Sequence, residues 1–271
     1  MEGMPNTGVG SSSGPVVPRA RIPVVGALVS VLITALVVLP SAHAAPATAK
    51  APANSPAKAV RVTATDARVA AAAPAFASRV PPRARQVIRT VHSHRWCAKR
   101  FCTVTEAWRK TNGRWQKIRS FRSTIGPNGF GKQREGDMRS PSGVYHIKVT
   151  FSTGRSAPGA MPWRRRLPTS IVTDAHNRFY NTWIEQPGRT DGDRKSMRYG
   201  FIVNYNHVRL HPGVGPKPVI GKGCCIFYHT AMPGRRWVPT AGCTQVGNWR
   251  KMRWIVRWLR PNAHPVVVQA L

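Results

Sequence analysis

All nine tryptophans of this 271-residue chain lie after residue 90, together with every tyrosine and nearly every phenylalanine. Large aromatic side chains supply much of the apolar area that a core buries. We therefore expect one folded domain over residues 90–271, a length that suits a single core. Residues 45–89 are rich in alanine, proline and arginine and show no clear period, so we expect them to form a disordered linker.

The N-terminal segment has the composition of a secretory signal. Arg19 and Arg21 precede an uncharged run from Ile22 to Leu39, and the small residues around His43 end at Ala44. This pattern predicts a signal peptide over residues 1–44, cleaved after Ala44. The alternative is an uncleaved membrane anchor, because the 18 uncharged residues are just long enough to cross a bilayer. Either way, the remaining chain is expected outside the cytoplasm, and cleavage would make it a secreted protein.

Strand-like segments dominate the aromatic-rich part. The segment CTVTEAWRKTNGRWQKIRSF has two such runs around Asn112 and Gly113, a dipeptide that favours a type I′ hairpin turn. GVYHIKVTF, YGFIVNYN, CCIFYH and the closing HPVVVQAL are further strand candidates, separated by glycine and proline. The fold class predicted is mainly β with a few helices.

The clearest helix lies near the C-terminus. Apolar residues recur there at three- and four-residue spacing, namely Trp249, Met252, Val256 and Leu259. This spacing predicts one apolar helix face, and Pro261 is expected to end the helix.

The charge of the chain is strongly positive. It has 42 Lys and Arg against 9 Asp and Glu, a net charge of +33, and +32 remains once residues 1–44 are removed. Such a field attracts polyanions. Because no nucleic-acid motif is present and nucleic acid is scarce outside cells, we expect anionic polymers of a bacterial wall as partners. Asp191 and Asp193 suggest calcium, but their loop lacks further oxygen ligands and is interpreted as a solvated turn.

The segment GPNGFGK, residues 126–132, matches the first seven positions of a phosphate-binding P-loop. Gln133 follows where a hydroxyl should hold magnesium, and an exported chain has no access to ATP. We interpret the segment as a glycine-rich turn.

The chain has five cysteines, so at least one stays outside any intramolecular disulfide. Cys97 and Cys102 are five residues apart and suit a small disulfide loop. The adjacent Cys224 and Cys225 lack the C-x-x-C spacing of a zinc chelate. We interpret this pair as buried packing residues and expect no metal and no cofactor.

Cys243 has the surroundings of a nucleophile. In Thr240-Ala241-Gly242-Cys243, small residues let the backbone approach a substrate and turn amide N–H groups towards an oxyanion. The excess of Arg and Lys is expected to lower the pKa of the thiol. His229 is the predicted base that takes the thiol proton.

These residues carry a family resemblance. GKGCCIFYHT, with TAGC ending 14 residues after His229, resembles the YkuD-type L,D-transpeptidase catalytic domain, in its branch with a TAGC motif. GPNGFGKQREGDMRSPSGVYHI, RFYNTW and YGFIVNYN resemble further segments of that family. The resemblance covers about residues 90–271. It implies a mostly β enzyme that transfers acyl groups of peptidoglycan stem peptides through Cys243.

Two positions depart from the family pattern. Ala241 stands where many members have a histidine, and Gln245 stands where many have an arginine. The alternatives are an L,D-carboxypeptidase of the same fold or a non-catalytic cationic wall-binding protein. His207 and His211 either line the cleft or lie on an exposed loop, and we favour the exposed loop.

Overall fold

A computed structural model describes residues 73–189 and 195–271. The predicted signal peptide, most of the predicted linker, and Asp191 and Asp193 lie outside these residues. Within the described part, none of the helices has the length and apolar character needed to span a bilayer.

The described residues form a mainly β fold, as predicted. The strands are β1 (Gln86–His92), β2 (Cys102–Thr111), β3 (Arg114–Thr124), β4 (Gly143–His146), β5 (Thr150–Ser152), β6 (Trp163–Arg165), β7 (Ser170–Thr173), β8 (Thr182–Glu185), β9 (Tyr199–Ile202), β10 (Phe227–Thr230), β11 (Thr244–Val246) and β12 (Val266–Gln269). Ten of them form one sheet in the order β4-β12-β1-β2-β3-β11-β10-β9-β5-β6, and β7 pairs with β8. One α-helix, α1 (Trp249–Trp258), and a short 3-10 helix (Pro261–Ala263) complete these elements.

The predicted domain boundary at residue 89 is wrong. Strand β1 begins at Gln86 and pairs with both β12 and β2 inside the sheet. Before it, Phe76 and Ala84 are almost fully buried and pack with Val87. The segment is poor in aromatic residues, yet Phe76 contacts the rings of Trp108 and Trp115 at 5.4 and 5.3 Å. The folded part therefore begins before residue 90.

The hairpin predicted around Asn112 and Gly113 is confirmed. These two residues connect β2 to β3 and have φ angles of 49° and 77°, as a type I′ turn requires. The other predicted strands are present with different bounds. GVYHIKVTF is split into β4 and β5, and β10 begins only at Phe227 because Cys225 has a φ of 61°, which is incompatible with a strand.

The predicted C-terminal helix is also confirmed. Asn248 caps α1, since its side-chain oxygen accepts the N–H of Lys251 at 3.1 Å. Helix α1 ends before Pro261, as expected. Its buried face includes Met252, Ile255 and Val256, which pack on the central strands.

The sheet has two covered faces. Helix α1 covers one of them, where Phe201, Tyr228 and Val246 lie in the main apolar cluster. On the opposite face, Phe151 and Phe227 belong to a smaller cluster against which Cys225 and Cys243 pack. The alternation of side chains along β10 therefore places Tyr228 under the helix and its neighbours on the other face.

Candidate active site

The side chains of Thr240 and Ser140 hold the turn that carries Cys243 through hydrogen bonds. Thr240 Oγ1 donates to the Cys243 carbonyl at 2.6 Å and accepts the Gly242 N–H at 3.1 Å. Ser140 Oγ donates to the Gly242 carbonyl at 2.6 Å. Gly242 has a φ of 141°, in the region that favours glycine, and Ala241 is exposed. The Gly242 N–H is donated to Thr240 in this structure, and the oxyanion role of the turn amides stays a prediction.

Strand pairing brings Cys243 and His229 to one face of the sheet. Strands β10 and β11 are parallel, with Tyr228 opposite Thr244 and His229 opposite Gln245. Cys243 precedes β11 by one residue and so lies level with Phe227. Side chains of parallel strands alternate in step, and Cα atoms two positions apart on adjacent strands are roughly 8 Å apart. Cys243 and His229 are therefore diagonal neighbours on this face, and the Cys243 thiol donates to the Cys225 carbonyl at 3.4 Å.

The backbone fixes the tautomer of His229. Its Nδ1 lies 2.9 Å from the carbonyl oxygen of Thr230, which accepts a hydrogen bond but cannot donate one. In the neutral ring the proton therefore sits on Nδ1, and Nε2 carries the lone pair. The side chain is 8% exposed. This arrangement presents Nε2 as a proton acceptor.

The Cys243 thiol is less acidic than the sequence predicts. Burial raises its pKa to about 11, although the Phe227 N–H and the positive charge of Lys132 act in the opposite direction. The excess of Arg and Lys does not decide this pKa, because most of these residues lie in solvent away from the thiol. At neutral pH the sulfur is protonated, so its attack on a substrate requires a base.

Cys224 and Cys225 are half-buried neighbours of Cys243 rather than fully buried residues. The Cys225 thiol donates to the Val172 carbonyl at 3.1 Å. Hydrogen bonding with Cys224, which favours the protonated Cys225 thiol, and burial raise the pKa of Cys225 far above its usual range. Both features keep Cys225 a neutral packing residue, as we interpreted it. Among the described residues, no group of three or more His, Cys, Asp or Glu side chains is arranged to hold a metal ion.

Tyr180 and Asn181 position the segment that leads into β10, a role that sequence reasoning missed. Asn181 Oδ1 accepts the Cys225 N–H at 3.1 Å, and the Tyr180 hydroxyl accepts the Gly223 N–H at 3.1 Å. The same hydroxyl donates to Glu135 Oε1 at 2.6 Å. Both side chains are 1% exposed. The adjacent Tyr-Asn pair in RFYNTW was the available signal, but its partners lie more than 40 residues away.

The glycine-rich segment of residues 126–132 is a turn, as interpreted, since bends and turns rather than a helix follow it over residues 133–139. It brings Lys132 next to the Cys243 turn. The Lys132 side chain is only 4% exposed and its ammonium pairs with Asp137 Oδ1 at 2.9 Å. Sequence reasoning assigned no function to this lysine.

The remaining predicted residues are accounted for as follows. His207 and His211 are exposed, which agrees with the interpretation as loop residues. Gln245 Nε2 donates to the carbonyls of Arg235 and Arg236 at 3.1 and 3.2 Å, so this side chain holds a loop. Cys97 and Cys102 are joined by a disulfide, with their Cα atoms 5.8 Å apart.

Comparison with known proteins identifies the class. The family model of the YkuD L,D-transpeptidase catalytic domain matches residues 102–268, which include the Cys243 turn and His229. The chain therefore belongs to the YkuD family of L,D-transpeptidase catalytic domains.

Solved structures give a weaker likeness. The helical cell shape determining protein Pgp2 from Campylobacter jejuni is 16% identical, with a TM-score of 0.38, over 68% of this chain and 47% of that one. A point mutant of Pgp2 matches at 16% identity and a TM-score of 0.36, over 68% and 46%. This chain thus spans less than half the length of these proteins. No curated protein sequence gives a significant match.

Proposed function

We propose that the protein is a cysteine-dependent acyltransferase that acts on peptidoglycan stem peptides. Membership of the YkuD family supports the substrate class. The observation that carries the proposed chemistry is the register of β10 and β11, which puts Cys243 and His229 on one face of the sheet.

The proposed reaction has two half-reactions. The Cys243 thiol transfers its proton to Nε2 of His229, and the sulfur attacks the carbonyl that precedes the terminal D-alanine of a tetrapeptide stem. The resulting tetrahedral intermediate collapses as the C–N bond breaks, and His229 returns the proton to the departing D-alanine amine. This leaves a thioester on Cys243. The amine of a neighbouring stem then attacks the thioester, which forms a cross-link and restores the thiol.

Product analysis tests this proposal and separates it from the carboxypeptidase alternative. The purified protein is incubated with a tetrapeptide stem, with and without a second stem as acceptor, and the products are followed by mass spectrometry. We expect release of D-alanine and a cross-linked product, both abolished in Cys243→Ala and slowed by orders of magnitude in His229→Ala. Cys224→Ala and the exposed His207→Ala are the matched controls and should keep activity. Release of D-alanine without any cross-link would instead identify a carboxypeptidase.

A surface on helix α1 supports a second function, binding of an anionic wall polymer. Arg250, Arg253 and Arg257 are exposed along one helix side, in a cleft of about 460 Å³ that they share with tryptophans. The guanidiniums of Arg119 and Arg109 lie 5.1 and 5.8 Å from the ring centres of Trp254 and Trp258. We call these five arginines the arginine surface.

Within residues 73–189 and 195–271, the arginine surface has no acidic partner in an ion pair. None of the ion pairs between described residues includes any of its five arginines. Like charges this close repel one another, and guanidinium groups bind phosphate through paired hydrogen bonds. A linear polymer with phosphodiester links therefore complements this surface.

Charge-matched variants distinguish a local site from the overall charge. One variant replaces Arg250, Arg253 and Arg257 with Gln, and the control replaces the exposed Arg155, Arg165 and Arg178 with Gln. Binding to poly(glycerol phosphate) is measured over a range of salt concentrations. We expect the first variant to lower the slope of log K against log salt by about 2, at roughly 0.7 for each phosphate that is no longer neutralised, and the control to leave it unchanged. Equal decreases in both variants would assign binding to the net charge alone, and stronger binding of duplex DNA would contradict the wall-polymer proposal.

We also propose that the protein works outside the cytoplasm, on the evidence of the apolar N-terminal segment. The mature protein should then begin at Ala45. N-terminal sequencing of the protein from its native host tests this, and retention of residues 1–44 would point to a membrane anchor instead.

A further inference from the structure

The side chain of Lys132 is almost fully buried, and its ammonium is held by hydrogen bonds. Its ammonium donates to Asp137 Oδ1 at 2.9 Å and to the Arg134 carbonyl at 3.2 Å. Asp137 is itself fixed by the backbone N–H groups of Gln133, Arg134 and Arg139, at 2.8 to 3.1 Å. A buried charge is tolerated when it is paired and hydrogen-bonded in this way. The pair therefore holds the ammonium at one position.

That position lies against the nucleophile turn. A Cβ atom added to Gly242 would lie 3.7 Å from Lys132 Nζ, and one added to Gly223 would overlap the side chain of Lys132. Gly242 directly precedes Cys243, and Gly223 begins the segment that leads into β10. The lysine thus fills the space that a side chain at Gly223 would need, and its ammonium lies at van der Waals distance from the Cβ position of Gly242.

The surroundings of Cys243 give this charge a role. The Gly242 N–H is donated to Thr240 and is not directed at the sulfur. Of the charged groups near Cys243, Lys132 favours its thiolate, whereas Cys224 disfavours it. The ammonium has three hydrogens and uses two on Asp137 and Arg134, so a third remains on the atom that packs against Gly242.

We propose that Lys132 is a positioning residue of this site, whose ammonium, anchored by Asp137, holds the turn of Cys243 and stabilises negative charge on its sulfur. The effect on the thiol is independent of the proposed function. The consequence for acyl transfer rests on the proposed function.

The test measures the thiol and needs no substrate. Wild type, Lys132→Met and Asp137→Asn are alkylated with iodoacetamide from pH 6 to 10, and labelling of Cys243 is followed by peptide mass spectrometry. Methionine keeps the length of the side chain and removes its charge, so we expect slower labelling at pH 8. One unit of thiol pKa changes the thiolate fraction tenfold and the reactivity of the thiolate about threefold in the opposite sense. The expected decrease in rate is therefore about threefold for each unit by which the thiol pKa rises.

Asp137→Asn should change the labelling rate of Cys243 in the opposite direction. The asparagine oxygen still accepts the ammonium N–H and holds Lys132 in place, but the counter-charge is lost, so Cys243 should be labelled faster than in the wild type. The labelling rate of Lys132→Arg should stay close to that of the wild type. Lys148 is exposed, and Lys148→Met is the control for loss of a charge elsewhere. Circular dichroism shows whether each variant is folded.

Two results would overturn the proposal. One is a pH profile of folded Lys132→Met that superimposes on the wild type. The other is a change of the same sign in Lys132→Met and Asp137→Asn, which a purely structural role would produce. Should the wild type fail to turn over stem peptides, the proposed function would fail while these labelling results still decide the role of Lys132.

Discussion

Ser140 connects the glycine-rich segment to the turn that carries Cys243, and Ser140→Ala tests how much this connection contributes. The hydroxyl is fully buried, donates to the Gly242 carbonyl at 2.6 Å and accepts the Gly126 N–H at 3.2 Å. Alanine leaves both backbone groups without this partner. Each unsatisfied buried group costs roughly 1–3 kcal/mol, so the free energy of unfolding should fall by about 2–6 kcal/mol. A domain in the middle of the ordinary stability range, about 10 kcal/mol, stays folded after this loss.

Urea unfolding measures the stability, and the rate of adduct formation at Cys243 measures the effect on the turn. Both are recorded at a temperature at which the variant is fully folded. We expect the rate to fall as well, because the Gly242 carbonyl is released and the turn loses its fixed geometry. The control is Ser142→Ala, two residues away and exposed, which should change stability by less than about 0.5 kcal/mol. If Ser140→Ala changed the stability and the rate as little as Ser142→Ala does, the hydrogen bond would not organise the turn.

Three further predictions concern stability. The pKa of Asp137 is far below its ordinary value of 3.8. The ionised carboxylate therefore contributes to the free energy of unfolding above that value, and this contribution is lost as the pH falls through and below it. Urea unfolding from pH 2 to 6 should show the loss, and Asp137→Asn should flatten the pH dependence. Gly200→Ala should lower the melting temperature by several degrees, because the added Cβ would overlap the Phe151 ring and the Tyr228 carbonyl. The space around Gly213 is open, so Gly213→Ala should not produce this overlap. Met252→Ala should cost about 2–5 kcal/mol in urea unfolding through the cavity that it leaves, and a cost below about 1 kcal/mol would show that the helix packs loosely on the sheet.

Local signals predicted the parts of the fold that local interactions determine. The Asn112-Gly113 hairpin follows from two residues that adopt positive φ at little cost. Helix α1 follows from the spacing of its apolar face and from Pro261. The start of β10 was misplaced because Cys225 takes a positive φ while its N–H is bound by Asn181, 44 residues away.

Long-range burial explains the other errors. The segment before β1 was assigned to the linker on composition, yet Phe76 packs against tryptophans of β2 and β3. The pKa of Cys243 was expected to be low from net charge, although burial, which composition does not reveal, raises it. Cys243 and His229 were predicted through their motif. Lys132 was missed because more than 100 residues separate it from the turn against which it packs.

Mass analysis of the covalent adduct tests the central claim most directly. The protein is mixed with a tetrapeptide stem, or with a carbapenem as a probe that the family resemblance suggests, and the modified residue is located by peptide mapping. The account predicts one adduct on Cys243, formed orders of magnitude more slowly in folded His229→Ala and absent from Cys243→Ala. An adduct on Cys224 or Cys225, or turnover of stem peptides by Cys243→Ala, would contradict it.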